Sequence, residues 1–242
     1  MTERQLEASP RALSRVGGLL YLMIIVLGLF GEMSVRERLV VSGNAAATAA
    51  NIGSHESLWR TGIATELCLL ICAIAVAVIL YVLLKPVSRD LALLAAFFNL
   101  VSIAVEAAYS LHLVAALFPL GNASYLGAFT PEQLHAMVSL SVRAHAHGFG
   151  ISLIFFGCFC VVVGYLIFRS GFLPKAVGVL MQIAGVCYLV NSFALILAPG
   201  LADRLYPAIL VPSFIGEASL CLWLLVKGVN PERWNRLAQA GR

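Results

Sequence analysis

RAHAHGFGISLIFFGCFCVVVGYLIFR, residues Arg143 to Arg169, sets an apolar run between two cationic ends with almost nothing polar inside it. From Phe149 to Phe168 there are 20 residues without a charge. At about 1.5 Å per residue, a helix of that length covers the roughly 30 Å of a bilayer's hydrocarbon. The stretch reads as a membrane-crossing helix. Gly150, Gly157 and Gly164 recur every seven residues, so they fall near one face where a neighbouring backbone can approach. Gly178 and Gly185 repeat the spacing further on, which predicts a close antiparallel pair. His145 and His147 stand at the start of the span and differ by about 200° around a helix, so only one of them faces the bundle.

The rest of the chain has the same character. Of 242 residues, 61% are hydrophobic and 12% charged, more apolar surface than one soluble core can hide, so lipid is the solvent for much of it. No polar stretch is long enough for a separate domain, and residues 1–242 read as one membrane domain. The net charge of +4 is spread over helix ends without a basic cluster, which argues against a nucleic-acid partner. The 6 cysteines lie inside apolar runs without a C-x-x-C or zinc-ribbon spacing, and read as free thiols.

Apolar periodicity predicts an all-α bundle of six transmembrane helices, over about 16–33, 61–84, 91–118, 149–168, 176–197 and 208–226. The run after the basic N-terminus lacks a small-residue cleavage site and reads as a retained first helix. Residues 34–58 read as a surface-lying connection in which Ser54 caps a short helix. Thr130-Pro131-Glu132-Gln133 has the form of a helix start. With the N-terminus inside, 11 of the 16 Lys and Arg fall on the cytoplasmic side and 5 opposite, which places both termini in the cytoplasm. Tyr81 with Lys85, Tyr165 with Arg169, and Trp223 with Lys227 then form interfacial anchors on that same side.

Ionisable groups inside a membrane cost roughly 2.5 to 3.5 kcal/mol near its centre, so each needs a reason. Counting from the outer helix ends at 1.5 Å per residue, Glu66 lies at about 8 Å, Glu217 at about 14 Å and Glu106 at about 18 Å. Asn99, Ser102, Glu106, Tyr109 and Ser110 share one face of the third span. His112, His145 and Asn191 also fall in the outer half. A polar cavity opening outward would explain this distribution, with Glu66, Glu106, Tyr109, Asn191 and Glu217 as candidates for ligand binding or proton relay. Core carboxyls acting as hydrogen-bonding links between helices are the structural alternative.

Several segments together resemble a bacterial membrane family known as a domain of unknown function, the 4386 family. They are Gly17 to Leu22, Ala45 to Ile52, Leu80 to Val87 with Leu91 to Phe98, Phe155 to Gly157, Gly164 to Gly171, Leu173-Pro174 with Gly178 to Leu180, and Gly216-Glu217 through Leu224 to Gly228. The resemblance covers nearly the whole chain. It implies a multi-pass protein of the bacterial cytoplasmic membrane, with a histidine at His145 and a glutamate at Glu217. It brings no activity, substrate or catalytic residue, and His147 departs from its pattern.

Three functions follow as expectations. The first is binding or transport of a small or lipidic ligand, or of protons, through the outer cavity. The second is an intramembrane metal-dependent hydrolase with His112, His145 and a glutamate around the metal, weakened by the lack of an H-E-x-x-H pair. The third is a non-catalytic accessory or scaffold protein. The non-enzymatic reading is preferred; the sequence requires no cofactor, and the bilayer is the one partner it implies outright.

Overall fold

The computed structural model describes residues 9–240. Arg4 and Arg242, two of the cations used to orient the chain, lie outside them. Every regular element among the described residues is helical.

Helix α1 (Pro10–Leu29) starts where Ser9 accepts a hydrogen bond from the Ala12 amide and Pro10 supplies a preset first turn. It continues without a break through a π-helical stretch, Phe30–Arg36, into the single turn α2 (Glu37–Leu39). After α3 (Ala45–Ser54) come α4 (Glu56–Leu84), α5 (Arg89–Ala115), α6 (Pro131–Ser170) and α7 (Lys175–Leu197). The chain then forms α8 (Pro199–Leu205), α9 (Leu210–Val226) and α10 (Pro231–Ala240).

Five helical segments are long and apolar enough to cross a membrane, and the pair α8 and α9, bent by 58°, makes a sixth if it is one span. The bend falls at residues 206–209, where Pro207 has no N–H to continue the ladder. The fourth span belongs to a helix of 40 residues, about 60 Å long at 1.5 Å per residue and so about twice the hydrocarbon thickness. Its start is the expected one: Thr130 and Gln133 form a reciprocal capping box. The cap of α3 differs from expectation. Asn44 accepts from the Ala47 amide, and Ser54 ends the helix by bonding back to the Ala50 carbonyl.

The long helices form a closed ring in chain order: α1 packs on α4, α4 on α5, α5 on α6, α6 on α7, α7 on α9, and α9 returns to α1. Close approach at glycines shapes several of these contacts. A Cβ on Gly164 would lie 2.6 Å from the Gly178 carbonyl, and one on Gly157 would lie 2.9 Å from that of Gly185, so the predicted seams of α6 and α7 face each other. Gly18 meets the backbone of Leu224 and Leu225 in the same way, closing the ring. That contact also puts the start of α1 and the end of α9 on one face of the bundle, called here the termini face.

Two apolar clusters fill the ring. The larger, near the termini face, includes Tyr21, Leu80, Leu83, Val163, Leu166, Met181 and Leu224. The smaller, at the far face, gathers Val35, Leu39, Ile52, Trp59, Leu113 and Val138. Trp59 is 1% exposed and donates its indole N–H to the Leu113 carbonyl at 2.9 Å, so α3 and the ends of α4 and α5 are tied into a cap.

Candidate functional site

A layer of ionisable and hydroxyl groups lies between these two clusters. Along α4 the order is Trp59, Glu66, Val76; along α5 it is Ala95, Glu106, Leu113; along α6 it is Val138, His145, Phe159. Helical spacing explains the alignment. Ser102, Glu106 and Ser110 are four residues apart and turn to one side of α5, while His145 and Ser152 are seven apart on α6. All of these are buried, with Glu66 at 7%, Glu106 at 8% and His145 at 4% exposure.

Glu66 is the hub. Its Oε1 accepts from Ser110 Oγ at 2.6 Å and lies 3.0 Å from His145 Nε2, and its Oε2 accepts from Arg36 Nη1 at 2.9 Å. Arg36 also donates through Nε to Glu32 at 2.7 Å, one turn away in the π-helical stretch. Ser152 Oγ donates to Glu106 at 2.8 Å, and Ser102 donates to the Ser152 carbonyl at 3.0 Å. One ligand atom from each of Glu66, Glu106 and His145 lies within 4.8 Å of the others. Four segments therefore converge on one charged cluster, and a π-helical segment, a feature often found at functional sites, carries its arginine.

Glu217 belongs to a separate centre. On α9 it accepts from Tyr21 Oη at 3.1 Å and from Tyr188 Oη, so α1, α7 and α9 supply this group. The packing register shows the offset in depth. Val35 faces Gly62 and Gly28 faces Leu69, which puts Glu66 level with the residues around Gly31, whereas Gly18 faces Leu225 and leaves Glu217 level with those around Val26. That is about five residues, or about 7 Å, nearer the termini face. The acidic groups therefore form two neighbouring centres.

The remaining candidates lie elsewhere. The Tyr109 ring fills the slot left by Gly148 and stacks on His112 at 5.5 Å, so His112 pairs with an aromatic ring. Asn191 is partly buried on α7 and makes none of the hydrogen bonds of either centre. Of the two histidines at the head of the fourth span, His145 turns inward, and His147 is exposed and bonds the Arg143 carbonyl. Sequence reasoning missed Arg36, Tyr21, Tyr188 and Ser152. An arginine after an apolar run ordinarily reads as an interfacial anchor; its i, i+4 spacing from Glu32 was the available signal. The two tyrosines carried no signal at all.

A family model described as a domain of unknown function, DUF4386, matches residues 16–228. An uncharacterised protein of Archaeoglobus fulgidus is 26% identical over 162 residues, covering 66% of this chain and 79% of its own length. No solved structure matches.

Proposed function

This chain belongs to the DUF4386 family, and on that premise we propose a multi-pass membrane protein that binds a small or lipidic ligand, or moves protons, through the layer of Arg36, Glu66, Glu106 and His145. Its termini face the cytoplasm of a bacterial cell, as the distribution of Lys and Arg suggests. The observation that carries the reading is a buried, hydrogen-bonded set of ionisable groups between two apolar clusters. Charge balance gives it a mechanism. Arg36 is shared between Glu66 and Glu32, and Glu106 and His145 lie beside that group as further side chains able to carry a proton. A ligand that brings or removes charge is balanced by a proton gained or lost within this set, because a net charge at this depth is expensive. Toward the termini face the apolar cluster encloses the separate centre of Glu217, Tyr21 and Tyr188, and among the described residues no hydrogen bond joins that centre to the layer, so binding linked to a proton is favoured over a through channel. Arg36 and Glu32, with side chains 23% and 46% exposed, mark the route from the far face.

Infrared spectroscopy of the reconstituted protein between about pH 5 and about pH 9 tests this. A carboxyl band that titrates in the wild type, disappears in Glu106→Gln and shifts in His145→Gln is the expected result. A band set that does not change with pH in the wild type refutes proton linkage.

A metal is the second reading, favoured by the convergence of Glu66, Glu106 and His145 within 4.8 Å. It is weaker because Glu66 already receives Arg36, and because a metal-bound imidazole is ordinarily oriented by a hydrogen bond on its other nitrogen. Among the described residues, the bond that His145 makes goes to Glu66 itself. Elemental analysis of protein extracted from its own membrane decides it: a stoichiometric metal lost in Glu106→Gln supports a metal centre.

A further inference from the structure

A second polar site lies at the termini face, remote from the ionisable layer. There the left-handed turn at Gly171, the end of α9 and the start of α10 enclose a cleft of about 420 Å³. Its lining includes Arg11, Lys227 and Arg233 together with Asn230, and no acidic residue. Arg11 and Lys227 are exposed and form no ion pair among the described residues. Arg233 commits Nη1 to the Gly171 carbonyl at 2.9 Å, which fixes the guanidinium at the cleft wall and leaves its other N–H groups free to donate. Trp223 also lines the cleft, and its indole N–H is buried without a partner. Helix α10 holds the wall in place: Trp234 donates to the Leu83 carbonyl at 2.9 Å, binding α10 to the end of α4.

We infer that this cleft is a phosphate-binding site, with Arg11, Lys227 and Arg233 as the cationic clamp and Trp223 as part of its wall. Three cations without a counter-charge need an anion. A phosphate oxygen array matches a guanidinium fork beside an ammonium. The position, just beyond the ends of the spans and beside an aromatic anchor, is the level at which phospholipid headgroups lie. The phosphate belongs either to an anionic phospholipid or to a soluble phosphate compound.

Native mass spectrometry of the full chain in detergent distinguishes the sources, with phosphatidylglycerol, phosphatidylcholine and glycerol 3-phosphate as probes. The comparison is with Arg11→Gln combined with Lys227→Gln, both exposed side chains that hold no other element. A phosphatidylglycerol adduct that exceeds phosphatidylcholine and falls about tenfold or more in the double variant supports a headgroup site. Glycerol 3-phosphate binding with the same loss supports a soluble phosphate ligand. Equal retention of every probe by the wild type and the double variant overturns the inference.

Discussion

The link between Arg36 and Glu66 joins the π-helical end of the first span to the buried layer, and its strength follows from the geometry. Glu66 accepts from three donors, from Ser110 at 2.6 Å, Arg36 at 2.9 Å and His145 at 3.0 Å. In Glu66→Gln a single carbonyl oxygen replaces two carboxylate oxygens, and Arg36 keeps Glu32, whose side chain is 46% exposed. A half-exposed pair is worth under about 1 kcal/mol, while a hydrogen bond to a buried charge is worth about 1.5–3 kcal/mol. Glu66→Gln is therefore expected to cost about 3 kcal/mol and Arg36→Gln about 2 kcal/mol. Both substitutions remove the same bond, so the double variant is expected to lose about 3 kcal/mol, leaving a coupling of about 2 kcal/mol. Unfolding in mixed micelles with increasing dodecyl sulfate, followed by tryptophan fluorescence, measures all four proteins. Additivity of the two changes to within about 0.5 kcal/mol would refute the pairing as a stabilising link.

Three further outcomes follow from the packing. Gly164→Ala places a Cβ 2.6 Å from the Gly178 carbonyl, where 3.4 Å is ordinary contact, so α6 and α7 must part by most of an ångström; a loss of about 1–3 kcal/mol in the same unfolding assay is expected. Gly148→Ala drives a methyl into the Tyr109 ring, and its cost should largely disappear in a Tyr109→Ala background, a non-additivity that a double-mutant cycle reads directly. Tyr188→Phe removes one of two donors to Glu217 and is expected to cost about 1–2 kcal/mol. The infrared titration of the Glu66 layer should be unchanged in that variant if the two centres are independent.

Much of the fold was legible because lipid imposes a strong rule on sequence. A segment that crosses hydrocarbon must be apolar for about 20 residues and must satisfy its backbone internally, so the presence of apolar helices can be read directly, while their ends depart from the apolar runs, α6 starting at Pro131 and the first helix continuing to Leu39. The facing of Gly157 with Gly185 and of Gly164 with Gly178 was also readable, since a seven-residue repeat on two consecutive antiparallel helices leaves little choice of face. The choice of His145 over His147 as the inward residue needed the structure, but the restriction to one of them came from helical geometry alone.

What the chain could not disclose was how the helices close into a ring. Counting residues along separate helices placed Glu66, Glu106 and Glu217 in one outer cavity, because helix length gives depth without giving neighbours. The tertiary structure divides them: the return of α9 to α1 pairs Glu217 with Tyr21 and Tyr188, while the π-helical stretch carries Arg36 to Glu66. The same packing sets Trp59 and its neighbours over the far-face end of the layer and leaves Arg36 and Glu32 partly exposed at its edge. Composition and periodicity thus determined that this is a helical membrane bundle with costly polar groups inside it. The partners of those groups were decided by contacts between residues as far apart as Tyr21 and Glu217, for which no local pattern exists.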